Sequence, residues 1–307
     1  RQTADQYVEI PREPATAIRA IADLELDLLF FADVGMDSLT YSLVFSRMAP
    51  VQCATWGHPV TTGSPTMDYF VSSELLEIPE ADAHYTEKLA RLPSLGTHYQ
   101  RPRMSSLLKV RADFGLPDDR HLYLCPQTLF KFHPEYDNLL ADILRQDPQG
   151  ELVLLEGRVA AWTNRLRDRF ARTMPDVLSR VRFLSAQANA DFLQLISLAD
   201  VMLDPIHFGG GNTSYEAFAM GTPIVTLPGP YLRSRITLAL YKKMGLTDLA
   251  VDSSEDYVRT AVRMACDEDF RLRQRQLIRD NAEVLFEDNQ EVRDFQRFLL
   301  EAARGGA

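Results

Sequence analysis

Cysteine is scarce in this chain: three residues among 307, Cys53, Cys125 and Cys266, far apart and in apolar or helical surroundings. That excludes a disulfide framework and suggests no thiolate metal site, so buried thiols in a reducing compartment are expected. Long apolar runs are missing as well. None approaches the roughly 18 to 20 residues needed to span a bilayer, and no signal peptide is visible, so a soluble, cytoplasmic chain with no membrane partner is expected. Positive charge is outweighed, with 33 Lys and Arg against 43 Asp and Glu and a net charge of −10. A nucleic-acid backbone is therefore an unsuitable partner, because it demands basic patches. There is no low-complexity tract. What remains, 46% hydrophobic and 25% charged residues, has room for about two α/β units. The chain starts with Arg1 inside a polar stretch rather than with Met, which reads as a fragment of a longer polypeptide.

Two halves alternate strand and helix patterns. In the first, Leu26 to Ala32 predicts an apolar strand, Ser38 to Arg47 a helix, and Val51 to Thr55, Met67 to Val71 and Leu89 to Leu92 further strands. A polar, proline-containing stretch over roughly residues 97–119 reads as a linker. In the second half, strands are expected at Leu122 to Cys125, Leu152 to Leu155, Arg182 to Leu184, Val201 to Leu203 and Pro223 to Leu227. Helices are expected at Pro134 to Arg145, Ala160 to Thr173, Ala190 to Ala199, Thr213 to Met220 and Leu232 to Met244. This is the pattern of a doubly wound unit, whose ligand crevice lies at the carboxyl ends of its strands. The assigned domains are residues 1–108, residues 109–285, and a charged C-terminal helix, residues 286–307, packing back across both.

The most telling segment runs from Gly209 through Gly210, Gly211, Asn212, Thr213, Ser214 and Tyr215 to Glu216, a glycine-rich turn between a strand and a helix start. Backbone N–H groups at a helix start attract phosphate, and glycines let it come close. Glu216, placed in the first helical turn, can accept hydrogen bonds from both hydroxyls of a ribose. Three glycines also suit a flexible surface loop. Two more strand ends on the same sheet edge add candidates. Gln127, Thr128 and Lys131 follow the first strand, and the lysine is either a point charge for a diphosphate or a solvated residue at a loop tip. Phe192, after the third strand, can stack on a base or belong to the core. Their joint occurrence at one edge favours a nucleotide-sugar site. In the first half, Trp56-Gly57-His58-Pro59-Val60-Thr61-Thr62-Gly63 forms a loop that can present N–H groups, hydroxyls and an imidazole to a sugar. His58 is a proton acceptor or a structural hydrogen-bonder, and His133 and His207 are read as supporting residues.

The ordered set Leu203-Asp204-Pro205, Gly209 to Ser214, Gly221-Thr222-Pro223, Pro228-Gly229 and Arg233-Ser234-Arg235 resembles the catalytic region of O-GlcNAc transferases and their bacterial relatives. Leu129-Phe130-Lys131 with Pro134, and Trp56 to Pro59 with Thr62-Gly63 and Met67-Asp68-Tyr69, are similar to that family's other segments in the same order. The resemblance implies an α/β fold of GT-B type, two Rossmann-like domains with parallel sheets facing a cleft, the first incomplete here. It further implies inverting, metal-independent transfer of a sugar from UDP, with no cofactor beyond the donor substrate. By position, Lys131 resembles the lysine that neutralises the departing diphosphate. Gly210, Gly211, Asn212, Thr213 and Ser214 resemble the phosphate-holding helix start, Glu216 the acid on the ribose, and Gln127 and Thr128 polar nucleotide contacts. Phe192 falls where members place a ring near uracil, and Asn189 and Gln194 stand where some relatives are basic. Gly57, His58, Pro59 and Thr62 resemble the loop on the sugar and acceptor side.

The family's first strand and the glycine- and histidine-bearing loop after it are expected upstream of Arg1, as are tetratricopeptide repeats that recruit acceptors. A truncated catalytic region that binds donor without turning it over is one consequence. The only Asp-x-Asp triplet, Asp267-Glu268-Asp269, lies between charged helices, where capping and solvation account for it, and Ile224 occupies the place of a second Glu eight residues beyond Glu216. The preferred reaction is transfer of GlcNAc from UDP-GlcNAc to Ser or Thr of a protein acceptor. Transfer of glucose from UDP to Asn, a GDP-sugar donor, a non-catalytic nucleotide-binding module, and an epimerase of the same architecture are the alternatives.

Overall fold

A computed structural model describes residues 5–104 and 108–305. The expected linker partly falls on residues 105–107, which lie outside that description. The described residues form two compact units, one up to Thr97 together with the chain from Asn289 on, the other His98–Asp288.

In the first unit, α1 (Pro14–Ala22) precedes β1 (Leu28–Phe31), α2 (Ser38–Leu43), β2 (Val51–Thr55), β3 (Tyr69–Ser73) and β4 (Lys88–Leu92). The four strands are all parallel, in the order β1-β2-β3-β4. α1 was not anticipated, although its start is written in the chain: Pro14 opens the helix and the Glu13 carboxylate accepts from the amides of Ala15 and Thr16. α2 ends four residues earlier than expected, at Leu43.

The second unit contains β5 (His121–Cys125), α3 (Pro134–Gln146), β6 (Gly150–Leu155), α4 (Ala160–Thr173), β7 (Val181–Leu184), α5 (Asn189–Leu198), β8 (Val201–Leu203), α6 (Asn212–Ala219), β9 (Ile224–Val225), α7 (Ile236–Met244), α8 (Ser254–Cys266) and α9 (Glu268–Asn281). Its five strands are parallel in the order β7-β6-β5-β8-β9. Strand order therefore reverses between β5 and β8, and in such sheets the ligand position lies at the carboxyl ends of the strands flanking that reversal. β5, β6 and β8 are buried nearly throughout, as expected for strands covered on both faces.

Two elements of this unit are shorter than their hydrophobic patterns predict. β9 is confined to Ile224–Val225, since Pro223 has no N–H to give to the ladder and Thr226 bridges instead to Ala250. The helix expected over Leu232 to Met244 breaks at Arg235. A 3-10 turn covers Leu232–Ser234, where Ser234 Oγ donates to Tyr231 O and accepts from the Gly229 amide, a local alternative to helix bonding.

α10 (Asn289–Gly305) returns to the first unit. Phe295 and Phe298 meet Phe30 and Tyr69 edge to face at 5.0 and 5.5 Å and help bury the core of Val51, Cys53, Val71 and Leu92. Among the described residues no helix is long and apolar enough to cross a membrane. Cys53 and Cys125 are buried as expected, and burial pushes each thiol up to about 12. Cys266 departs from the expectation: it ends α8 with its side chain exposed.

Candidate nucleotide-sugar site

The switch point of the second unit gathers most of the residues singled out in the sequence. After β5 the chain turns through Pro126 and Gln127 into a 3-10 turn at Leu129–Lys131. The carbonyl of Thr128 accepts from the Lys131 amide, while the Thr128 side chain is exposed. α3 then starts at Pro134, capped by His133, whose Nδ1 accepts from the Glu135 amide. This rigid corner aims Lys131 inward. Its Nζ donates to Gly209 O at 2.8 Å and Gln127 Oε1 at 3.1 Å, and lies 4.4 Å from the centre of the Phe208 ring. Burial lowers the lysine's pKa from its ordinary value, and the charge of Asp204 opposes that shift.

Across the switch point, Asp204 directly follows β8, and the loop it opens leads to α6 through Gly209, Gly210 and Gly211. Asp204 is 3% exposed and organises this loop. One carboxylate oxygen accepts from the Gly210 amide at 2.6 Å, and the other accepts from Thr226 Oγ1 at 2.8 Å. Burial raises its pKa, against the Gly210 amide, Thr237, Thr226 and the charge of Lys131, which lower it. Glycine is required by close approach here. A Cβ on Gly209 would stand 2.7 Å from Asp204 Oδ2, and one on Gly210 would stand 2.8 Å from Thr213 Oγ1 and 2.9 Å from Gln127 Nε2.

α6 begins at Asn212 with Gly211 as its N-cap and no capping side chain. Among the described residues, the amides of Gly211, Asn212 and Thr213 have no acceptor within the protein. Three N–H groups thus stand uncommitted at the positive end of a helix, in the residues that follow the Gly209 carbonyl to which Lys131 donates, and such a helix start attracts phosphate. Gln127 Nε2 fixes the Thr213 hydroxyl at 2.5 Å. The Ser214 hydroxyl points the other way, to buried Thr237 Oγ1 at 2.8 Å.

Glu216 is the fifth residue of α6, not part of its first turn, because the helix starts at Asn212. It is buried, with a pKa raised by desolvation and held back by the Asn212 side chain. Asn212 Oδ1 in turn accepts from the Tyr99 hydroxyl, and the Tyr99 ring stacks on Tyr215 at 4.1 Å with 3° between planes. Phe192 occupies the first turn of α5, half-buried. Gln194 is buried and its Oε1 accepts from the Lys109 amide, so this side chain braces the chain segment before β5.

Sequence reasoning assigned no role to Asp204, Phe208, Tyr99 or Thr237. Asp204 had a legible signal, an acidic residue at a strand end six positions before Gly210. Tyr99 had none, since 113 residues separate it from Asn212.

In the first unit the loop after β2 meets the loop after β1. Gly57 allows the approach: a Cβ there would collide with Ala32 O. His58 packs beneath Gly35, which has φ +110°, and a Cβ on Gly35 would stand 2.9 Å from the imidazole Cδ2. His58 Nδ1 and Asp33 Oδ1 are buried without a hydrogen-bond partner among the described residues. An unpaired buried polar atom costs about 1 to 3 kcal/mol, so two in one loop pair mark a place where stability has been given up. Pro59 is buried. Thr62 is tied down by Glu87, which accepts from its amide at 2.7 Å and from its hydroxyl.

A doubly wound unit with a lysine and a glycine-led helix start at its switch point, in one chain with a second parallel-sheet unit, defines the GT-B class of glycosyltransferase fold. The chain belongs to glycosyl transferase family 41, which matches residues 95–295. It is 32% identical over 273 residues to the probable UDP-N-acetylglucosamine–peptide N-acetylglucosaminyltransferase SEC of Arabidopsis thaliana, covering 85% of this chain and 27% of that protein. It is 25% identical over 276 residues to the UDP-glucose:protein N-beta-glucosyltransferase of Actinobacillus pleuropneumoniae serotype 7 (strain AP76), covering 86% of this chain and 42% of that one. Among solved structures, an O-GlcNAc transferase mutant of Thermobaculum terrenum superposes with a TM-score of 0.82 at 26% identity, over 99% of this chain and 59% of that chain. The chain thus spans about a quarter to two fifths of the length of these two curated relatives.

Proposed function

We propose that this chain carries the donor site and catalytic framework of an inverting, metal-independent glycosyltransferase that moves GlcNAc from UDP to Ser or Thr of a protein acceptor. The observation that carries the reading is the Lys131 ammonium held at the Gly209 carbonyl, with the uncommitted amides of Gly211, Asn212 and Thr213 following it in the same turn. Breaking a sugar–phosphate bond places negative charge on the departing diphosphate. Fixed donors aimed at that charge lower the barrier without reorganising. Lys131 neutralises the leaving group, and the helix start holds its phosphate oxygens. Gln127 orients Thr213, Asp204 holds the Gly210 loop open to the diphosphate, and Glu216 takes the ribose hydroxyls. Phe192 contacts the base and Thr128 the nucleotide from the 3-10 turn. The loop of Gly57, His58, Pro59 and Thr62 serves the sugar and acceptor, with the unpaired His58 Nδ1 as the support for that assignment. Inversion follows if the acceptor hydroxyl attacks the anomeric carbon opposite the diphosphate.

A second reading, transfer of glucose from UDP to Asn, is favoured by the similarity to the Actinobacillus protein. The test is incubation of the chain with radiolabelled UDP-GlcNAc or UDP-glucose and a peptide library carrying Ser, Thr or Asn, followed by product mapping. Label on Ser or Thr from UDP-GlcNAc supports the first reading, and label on Asn from UDP-glucose replaces it with the second. UDP binding without release of sugar from either donor would reduce the chain to a binding module.

A further inference from the structure

We infer that His121, Asp147 and Cys266 form a transition-metal site of the zinc class at the amino-terminal edge of the second unit's sheet. The three residues come from separate parts of the chain: His121 opens β5, Asp147 caps the C-terminus of α3 just before β6, and Cys266 is the last residue of α8. This edge is opposite the one that carries Lys131 and Asp204, so the site stands independently of the proposed donor chemistry. One ligand atom from each residue lies within 4.8 Å of the others. His121 Nδ1 is 2.7 Å from Asp147 Oδ2, and Cys266 Sγ is 3.7 Å from His121 Nδ1.

Zinc bound tetrahedrally, with sulfur at about 2.3 Å and nitrogen or oxygen at about 2.0 to 2.2 Å, separates its ligand atoms by roughly 3.3 to 3.6 Å. The sulfur–nitrogen pair already stands near that spacing, and the nitrogen–oxygen pair has to open by only roughly half an ångström. A mixed sulfur, nitrogen and oxygen set suits zinc or cobalt rather than magnesium or calcium. It leaves a fourth position for solvent.

The carboxylate is built in rather than incidental. Asp147 is 3% exposed, and its Oδ2 also accepts from the buried Tyr123 hydroxyl at 2.8 Å, while its Oδ1 accepts from the Gln149 amide at 3.0 Å. Such outer bonds fix the orientation of a ligating carboxylate. A second cluster, His133, Glu135 and His207, also brings ligand atoms together but is exposed at all three residues and contains no sulfur. That difference makes the two clusters separable by spectroscopy.

The experiment is titration of the metal-free chain with Co²⁺ and with Zn²⁺, following the near-ultraviolet thiolate-to-cobalt charge-transfer band, in the wild type, Cys266→Ser and His121→Ala. Labelling by a thiol reagent is followed in parallel on the wild type. Cys53 and Cys125 are 0% exposed, so such labelling reads Cys266 alone. The inference expects one cobalt ion per chain with a thiolate band, loss of that band in Cys266→Ser, and protection of the wild-type thiol by equimolar zinc. It also expects zinc to bind more than about tenfold more weakly to His121→Ala, judging from the effect of merely disturbing a ligand's orientation. A folded wild type with no thiolate band and no protection overturns it. So does a band that persists in Cys266→Ser, and so does zinc binding that all these substitutions leave unchanged, which would place the metal on the exposed histidine pair.

Discussion

Replacing Lys131 by Met isolates the charge on which the proposed chemistry depends. Methionine keeps most of the side chain's length and apolar volume against Phe208 while removing the ammonium that reaches Gly209 O and Gln127 Oε1. A hydrogen bond to a charged partner contributes about 1.5 to 3 kcal/mol, so UDP should bind about 10- to 150-fold more weakly to the variant. Uridine has no phosphate and should bind both forms within about twofold, since the same calculation assigns it no lysine contact. Isothermal titration with UDP and with uridine, alongside urea unfolding of both forms, makes the comparison. Burial opposes the lysine's charge in the free chain, so removing that charge relieves a cost that partly offsets the two lost hydrogen bonds. The unfolding midpoint is therefore expected to move little. An equal loss for UDP and uridine would refute the reasoning, because the substitution would then be acting through the shape of the site. Unchanged UDP affinity in a folded variant would remove Lys131 from the diphosphate site altogether.

Gly210→Ala places a methyl group within 3 Å of Thr213 Oγ1 and Gln127 Nε2, so it should abolish measurable UDP binding and cost about 1 to 3 kcal/mol in urea unfolding. Wild-type affinity in that variant would show that the loop has room the close contacts deny. Asp204→Ala leaves the buried Gly210 amide and Thr226 hydroxyl without their acceptor, a loss of about 1 to 3 kcal/mol for each buried group left unpaired, read by the unfolding midpoint and by the exchange rate of the Gly210 amide. Burial lowers the pKa of Lys131 in the free chain and a bound diphosphate raises it, so binding takes up a proton in the window between those two values. UDP affinity should fall as pH rises through that window, whereas Lys131→Arg, which keeps its charge, should be flat there. Gly57→Ala should destabilise the first unit, because its methyl group meets the Ala32 carbonyl, and should leave UDP binding by the second unit unchanged in a folded sample.

The second unit was more legible in sequence than the first because its signals are local. Five short β-branched or leucine-rich runs, each followed by a helix pattern, specify a doubly wound sheet, and Gly209 to Ser214 announce the phosphate turn within six residues. What stayed hidden depends on contacts far apart in the chain. Nothing near Tyr99 points to α6, and only the folded chain stacks it on Tyr215. Cys266, His121 and Asp147 come together across 145 residues, so reading the cysteines by their neighbours could not find the cluster. Helix ends were misplaced where side chains compete with the backbone, as at Ser234, and Glu216 was set one position too early because the helix itself begins at Asn212. The unpaired Nδ1 of His58 is likewise a property of packing, set by two glycines in different loops.

The most direct test of the central claim is calorimetric titration of the wild-type chain with UDP, GDP and UDP-GlcNAc. The account predicts saturable, one-to-one binding of UDP and UDP-GlcNAc, with GDP markedly weaker. Failure of a folded sample to bind either uridine nucleotide would contradict it, since the lysine and the three open amides would then have no diphosphate to serve.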